Sequence, residues 1–553
     1  MSFCRLVSRF STLLLLTGMG RVALAQEPAL PPGTDAAEGA ASFGRARLAA
    51  AAATGPRTSP FDPPEANDHS FITDGASGLD TGCTYRLGGP LIFNIEITRH
   101  AGDLNADGTL KNAAALVAAG LLSRTATLIQ PAFDVDSGAV VPPFQPERDR
   151  VSFNGEQIGF LSGENNEWKL NSFEIPIEKV KFAARGAIGS MPAPALNQVR
   201  IDIDTANSLQ VWCTAIDWGA QSFKSMSPII LIHGNNSNGG FFERQGFTGH
   251  LQTQQLLYDN SINLPTTTIA ANGSALNGLI PGIVKSFGVD GVHLVVHSKG
   301  GLDSREYLAT YQPGHNRDFK ILSYSSLSTP HNGSPGADLL VQRAIALRVT
   351  SNIEFAGFPS FTQSVAEQTG LDAGTGNLTT GFVAGFNTTN VSRLPADTVF
   401  NTVAADADQN GNAEIDRSPD EYAELRAESP QLTALDNTFL GQTKTRIAVN
   451  AVYQVLRTTA GVTLTYRTER TLLGGQRTIA VLTSIHNPAG LGNDVLVPIP
   501  SGQGVGGIAG RVANSATFTG AAGRNHSSVA NAGVAARVVP WIISTERANG
   551  DLK

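Results

Sequence analysis

The stretch VVHSKGG, Val295 to Gly301, sets one serine between an apolar run and two glycines. A serine at a sharp strand-to-helix turn exposes its Oγ, and the usual pattern, G-x-S-x-G, keeps the crowded positions small. Here the first of those positions is Val296, a β-branched residue at home on a strand, while Gly300 and Gly301 give room on the helix side. Such a serine acts only with a base, an acid that orients the base, and donors for the oxyanion. LGNDVLVPIPSG carries Asp494, and GRNHSSV carries His526 thirty-two residues later, giving the chain order Ser, Asp, His. His233-Gly234-Asn235-Asn236 ends the run IILI, so the backbone N–H groups of Asn235 and Lys299 are the candidate oxyanion donors. Such a donor is typically worth about 3–4 kcal/mol to the transition state. Together these residues are suited to acyl transfer through a covalent intermediate.

Elements must bring them to one edge. IILIHG, VHLVVHS, KILSYSSLS, TVFNTVAAD and TIAVLTSI are apolar runs that alternate with helical stretches such as LNGLIPGIVKSFG and GGLDSREYLATY. That alternation predicts an α/β fold, a parallel sheet with helices on both faces and its chemistry at the strands' carboxyl ends. Ahead of it, PLIFNIEITR, TATLIQPAFDV, RVSFNGEQIGFL, SFEIPI, VRIDID and VWCTAIDW predict an all-β sandwich over about 81–220. Cys83 opens that region and Cys213 closes it, and a disulfide between them is expected in an exported chain. Between STPHNGSP and TVFNTV an insertion at about 336–396 carries Phe355, Phe358 and Phe361, which fits a lid or the core of a small cap.

The blocks IILIHG, HSKGGLDSREYL, STPHNGSP, NDVLVPIPSG and NHSSV resemble those of bacterial triacylglycerol lipases and of the GPI-inositol-deacylase-like lipases. The resemblance spans roughly 227–545. It implies an α/β-hydrolase domain over 225–545 with Ser298, Asp494 and His526 as the triad. Two positions depart from the pattern: Val296 replaces the usual Gly or Ala, and Val495 replaces the Gly after the acid. VSFNGEQIGFLSGENNEWKLNSFEIPI is similar to β-sandwich modules that precede hydrolase domains in exported bacterial proteins, many of which bind carbohydrate or merely pack.

The remaining motifs receive plainer expectations. His331 is expected to be structural, His297 faces the wrong way to serve as base, and His486 is a loop residue. The Lys299 side chain is expected to be a solvated charge. DADQNGNAEID places Asp406, Asp408, Asn410, Asn412 and Asp416 at calcium-loop spacing, although Arg417 stands where the closing Glu belongs. Asp406 also competes with Asp494 as the triad acid, because either loop could face His526. DLNADG, from Asp103, echoes the same spacing and reads as a polar turn.

Composition bounds the partners. Arg5 and Arg9 precede STLLLL, and Ala23-Leu24-Ala25 makes a small-residue cleavage site, so residues 1–25 read as a signal peptide. Its removal takes the formal charge of the 553-residue chain from -7 to -10, which argues against nucleic acid as partner. Residues 26–80, rich in Ala, Gly and Pro, read as a flexible leader. No later run has the roughly 20 apolar residues of a membrane span. The expectation is an exported serine esterase or lipase without an organic cofactor, acting on an ester at a lipid or polymer surface. A polyester depolymerase, or a surface-binding protein on a hydrolase scaffold, stands as the alternative.

Overall fold

The computed structural model describes residues 58–552, except 77, 139–144, 207–211, 339–340, 342–352, 356–372, 411–458, 471–475 and 487–491. The expected signal peptide, most of the leader, Phe358, Phe361, Asn412 and Asp416 lie outside the described residues.

The N-terminal half is antiparallel. Its strands are β1 (Ser70–Asp74), β2 (Thr84–Tyr85), β3 (Leu91–Ile97), β4 (Thr125–Phe133) and β5 (Arg150–Phe153), followed by β6 (Glu156–Phe160), β7 (Trp168–Pro176), β8 (Ala195–Asp202), β9 (Cys213–Ile216) and β10 (Trp218–Ser222). One sheet runs β1-β10-β4-β9-β2 with β7 also on β4, and a second runs β3-β8-β5-β6. Period-two patterning decides which side faces inward: in β3, Leu91, Phe93, Ile95 and Ile97 are buried. Glycines let the sheets approach. A Cβ at Gly219 would lie 2.5 Å from the Phe93 ring, and one at Gly159 would lie 2.8 Å from the Phe173 ring. β1 corrects the expected leader boundary, because it pairs with β10 and its buried Phe71 stacks on Phe223 at 5.5 Å. One aromatic in a short run gave too little periodicity to mark it.

Cys83 and Cys213 are disulfide-bonded, with their Cα atoms 5.2 Å apart across the β2–β9 pair. The bond spans 130 residues of chain. A loop of that length stabilises by about 4–5 kcal/mol in the chain-entropy account. The Cys83→Ala/Cys213→Ala double variant is therefore expected to lose about that much unfolding free energy in urea titration. Thiol titration of the denatured, unreduced protein should find neither cysteine free.

The second half is built on β11 (Ile229–Ile232), β12 (Tyr258–Asp259), β13 (Gly291–His297), β14 (Lys320–Leu327), β16 (Val399–Ala405) and β19 (Val512–Phe518). They form a sheet in the order β12-β11-β13-β14-β16-β19, with every pair parallel. Alternate residues of each central strand enter different cores. Ile230, Ile232, Leu294 and Val296 meet Leu276 and Ile280 of the helix Ile269–Phe287, and Tyr307 and Leu308 of the helix Lys299–Thr310. Leu231 and Val295 meet Val534, Val538 and Ile542 of the helix Ala532–Asn549. A strand buried on both sides reads as a continuous apolar run, which is why β11 and β13 were visible.

TIAVLTSI is not part of that sheet. It lies in β18 (Gln476–His486), which pairs with β17 (Thr459–Arg470) and β15 (Ile353–Phe355) in a separate three-stranded sheet. The sixth parallel strand is β19, VANSATF, whose small polar residues at a sheet edge carry no apolar run. His486, expected in a loop, is the last residue of β18.

Residues near 220–225 join the two halves through buried contacts. Thr54–Lys553 is one compact unit. Arg99, fully buried, donates to the carbonyls of Ser225 at 3.0 Å and Met226 at 3.2 Å and pairs with Asp68. Met226 N in turn donates to Leu121 O at 2.9 Å. A buried guanidinium needs such acceptors, and here they fasten the antiparallel half to the start of β11. The helix Thr380–Asn390, within the expected lid range, is tied to the body as Arg305 donates to Asn387 Oδ1 at 2.8 Å and Asn390 Oδ1 at 3.1 Å. No described helix is long and apolar enough to cross a membrane.

Candidate active site

Ser298 sits between β13 and the helix Lys299–Thr310 with φ 54° and ψ -131°, a conformation L residues rarely adopt. Its N–H donates to Leu327 O at 3.0 Å, which locks the turn to the next strand. The glycines answer for the crowding. A Cβ at Gly300 would collide with His233 O, one at Gly301 with Thr329 Oγ1, and one at Gly234 would stand 2.6 Å from Ser298 Cβ. Val296 is tolerated because its side chain is fully buried in the core beneath the strand, while the tight approaches fall on Gly300 and Gly301.

The structure brings the three separated residues together. His526 Nε2 lies 2.8 Å from Ser298 Oγ, and His526 Nδ1 lies 2.9 Å from Asp494 Oδ2. A carboxylate only accepts, so Nδ1 carries the proton and Nε2 presents its lone pair to the serine hydroxyl. Asp494 is fully buried, and Ser298 and His526 are each 7% exposed. Asp494 Oδ1 accepts the N–H groups of Leu496 at 3.0 Å and Val497 at 2.7 Å, leaving Oδ2 for the imidazole. Two asparagines shape the loops: Asn493 Oδ1 accepts Val495 N at 2.9 Å, and Asn525 Oδ1 accepts Ser527 N at 3.0 Å and Ser528 N at 2.8 Å. Neither was singled out from the sequence, although an Asx turn needs just such a residue two or three positions before the N–H it accepts.

Asp494 reaches the site from the end of β16. Ala407 N donates to Asn493 O at 2.8 Å and Asp406 N to Phe518 O at 2.9 Å, so the acid loop is sewn to β16 and β19. Asp406 and Asp494 thus belong to one strand end, with the intervening chain inserted between them, and it is Asp494 that meets His526. Of the residues with calcium-loop spacing, Asp406, Asp408 and Asn410 are described. Asp406 Oδ1 accepts Asp408 N at 3.2 Å, and Asp408 is buried. Asp103, Asn105 and Asp107 form a polar turn in which Asp107 Oδ1 accepts the N–H and hydroxyl of Thr109.

Val495 holds φ 86° where the pattern expects glycine. Magnitudes decide why it is kept. Relief of the left-handed conformation is worth about 1–2 kcal/mol. Loss of its buried side chain, 4% exposed, costs about 1.5–3 kcal/mol, and glycine adds about 0.5–1 kcal/mol of chain entropy. Packing wins. Val495→Gly is expected to lower stability by about 1–2 kcal/mol in urea unfolding, and a gain would mean the strain dominates.

The oxyanion candidates lie beside the serine. Lys299 is the first residue of its helix, so its N–H has no carbonyl one turn earlier to bond, and Asn235 follows the glycine that abuts Ser298. The Lys299 side chain is buried, contrary to the expected solvated charge. Its Nζ pairs with Asp303 Oδ1 at 2.7 Å, while Asn272 Nδ2 donates to Asp303 Oδ2 at 2.9 Å. Burial pushes the Asp303 carboxyl up to about 6 against the pull of Lys299. His233 Nε2 accepts Leu264 N at 3.0 Å, so its Nδ1–H donates to Gly234 O at 2.8 Å and braces the same loop. The buried His331 ring meets Ser326 Oγ at 2.9 Å, and its carbonyl accepts Asn387 Nδ2 at 2.8 Å.

No protein-family model matches this chain. It is 36% identical over 150 residues to the lysosomal thioesterase PPT2-B of Xenopus laevis, covering 26% of this chain and 49% of that one. It is 42% identical over 65 residues to triacylglycerol lipase 2 of Saccharomyces cerevisiae, covering 11% of this chain and 19% of that one. The chain thus spans about half or less of the length of these curated relatives. Among solved structures, the mature lipase BlEst2 of Bacillus licheniformis is matched with a TM-score of 0.34 and 18% identity, over 57% of this chain and 92% of that one.

Proposed function

We propose that this chain is an exported serine hydrolase of carboxylic esters, an esterase or lipase on an α/β-hydrolase fold, preceded by a β-sandwich and carrying a lid within the insertion after STPHNGSP. Ser298 attacks the ester carbonyl, His526 takes its proton and passes it to the leaving alcohol, and Asp494 holds the imidazole in the tautomer that can do so. The N–H groups of Asn235 and Lys299 bind the oxyanion, and water then hydrolyses the acyl-enzyme. The observation that carries this reading is the hydrogen-bonded chain Ser298–His526–Asp494, ending on a serine at a strained turn. The lipase and thioesterase names of the sequence relatives agree with acyl transfer. A panel of p-nitrophenyl esters from short to long acyl chains, an acyl thioester, an emulsified triglyceride and a polyester film tests it, alongside labelling by a fluorophosphonate. No turnover on any arm and no label would leave the alternative of a binding protein on a hydrolase scaffold.

A calcium ion held by Asp406, Asp408, Asn410, Asn412 and Asp416 belongs to the same proposal. It rests on the alternating oxygen ligands, of which the buried Asp408 and the neighbouring Asp406 share one turn. A ligand that binds only the native state raises the unfolding temperature by mass action. EDTA is therefore expected to lower Tm and calcium to restore it. An unchanged Tm in both would end this part of the proposal.

A further inference from the structure

Beneath the imidazole of His526 lies a second one that no step of acyl transfer uses. His297 is the residue before Ser298, at the end of β13, and is 4% exposed. Its Nε2 lies 2.7 Å from the backbone carbonyl oxygen of His526. A carbonyl only accepts, so Nε2 carries the proton and Nδ1 a bare lone pair. Nδ1 has no partner among the described residues, and a Cβ at Gly234 would lie 3.1 Å from it. The ring stacks on Phe241 with centroids 4.4 Å apart and meets the His526 ring at 4.8 Å, tilted by 49°.

We propose that His297 is a positioning residue: a neutral imidazole whose Nε2–H pins the backbone of His526 to the strand that carries Ser298. The inference rests on the reading of His526 as base. The bonds from Asp494 and Ser298 orient the His526 ring but come from its own reacting ends, and the Ser298 bond breaks and re-forms during turnover. The bond from His297 reaches the backbone instead, one residue from the nucleophile, so base and nucleophile share one mechanical reference. Geometry of this kind matters because a displacement of about 1 Å at a reacting pair can cost roughly 100-fold in rate. Neutrality is part of the role. Burial holds His297 well below the usual histidine range, and the neighbouring His526 and His233 oppose a charge on it as well. It therefore adds no repulsion when His526 becomes cationic.

The test separates a donor from a filler. His297→Phe keeps a ring to stack on Phe241 and loses the N–H, whereas His297→Gln places an amide N–H near the Nε2 position. With p-nitrophenyl acetate, the Phe variant is expected to lose about 10–100-fold in kcat with KM nearly unchanged, and Gln to recover most of that loss. Wild-type kcat in a folded His297→Phe protein would overturn the inference, and so would equal losses in Phe and Gln. Should the Phe variant fail to fold, His297→Asn decides, because its shorter amide falls short of the His526 carbonyl and must show the same loss; an unimpaired Asn variant overturns the inference. Fluorophosphonate labelling of the wild type at Ser298 is read first. Its failure would sink the proposed function itself, independently of any His297 variant.

Discussion

Ser298→Ala is expected to lower kcat by about 10⁶ and abolish covalent labelling by a fluorophosphonate, while leaving the fold in place. What remains is the roughly 10³–10⁴-fold advantage over water that an oxyanion hole and substrate binding supply without a nucleophile. The fold should survive because the hydroxyl gives up one hydrogen bond, to His526, and alanine can occupy the same turn at the same conformational cost. The strain at φ 54° adds a second readout. Ser298→Gly removes the Cβ that resists this conformation, so it should be as inactive as the alanine variant and about 1 kcal/mol more stable. Stability gained where activity is lost is the expected mark of a site that holds its reacting group under strain. Full labelling of the alanine variant would move the nucleophile elsewhere; equal stability of the glycine and alanine variants would show that the turn is not strained.

How far the sequence could be read depended on what each element buries. β11 and β13 are covered on both faces, and their unbroken apolar runs marked them as central parallel strands. β19, at the sheet edge, is built from VANSATF and half-buried side chains, so nothing in its composition separated it from a loop. The apolar run TIAVLTSI produced the opposite error, since a short run records that a strand exists but not which sheet takes it. The residues that meet at the candidate site were more legible than their frame. Ser298, Asp494 and His526 stand in small polar loops with fixed turn chemistry, and local turn chemistry is written in a few adjacent residues. What supports them is not local. The burial of Lys299 depends on Asp303 one helical turn on and on Asn272 from another helix, and the bond of His297 to His526 O spans 229 residues. Helical spacing alone could have paired Lys299 with Asp303 at i and i+4, but no pattern in the chain states that this face is buried.

Asp494→Asn is expected to lower kcat by about 10⁴, with little change in KM, and added calcium should not restore it. The direction follows from the bonds the carboxylate makes. Oδ1 accepts two backbone N–H groups, from Leu496 and Val497, and only an oxygen can satisfy them. An asparagine must therefore keep its carbonyl oxygen on that side and turn its NH₂ group toward His526. The amide then donates where the carboxylate accepted, so His526 Nδ1 gives up its proton and presents a lone pair. The imidazole's single proton then sits on Nε2, which faces Ser298 Oγ and can no longer take the serine's own. Binding is spared because every backbone contact of the loop survives, and so the loss falls on kcat. Asp406→Asn is the comparison that makes the result specific. It sits at the end of the same strand, where its Oδ1 accepts Asp408 N, while His526 Nδ1 is bonded to Asp494, so its effect should appear in Tm with kcat within a few-fold of wild type. If Asp406→Asn is the variant that loses turnover and Asp494→Asn retains it, the acid has been assigned to the wrong end of the insertion. The bond between Asp494 Oδ2 and His526 Nδ1 would then have no part in catalysis.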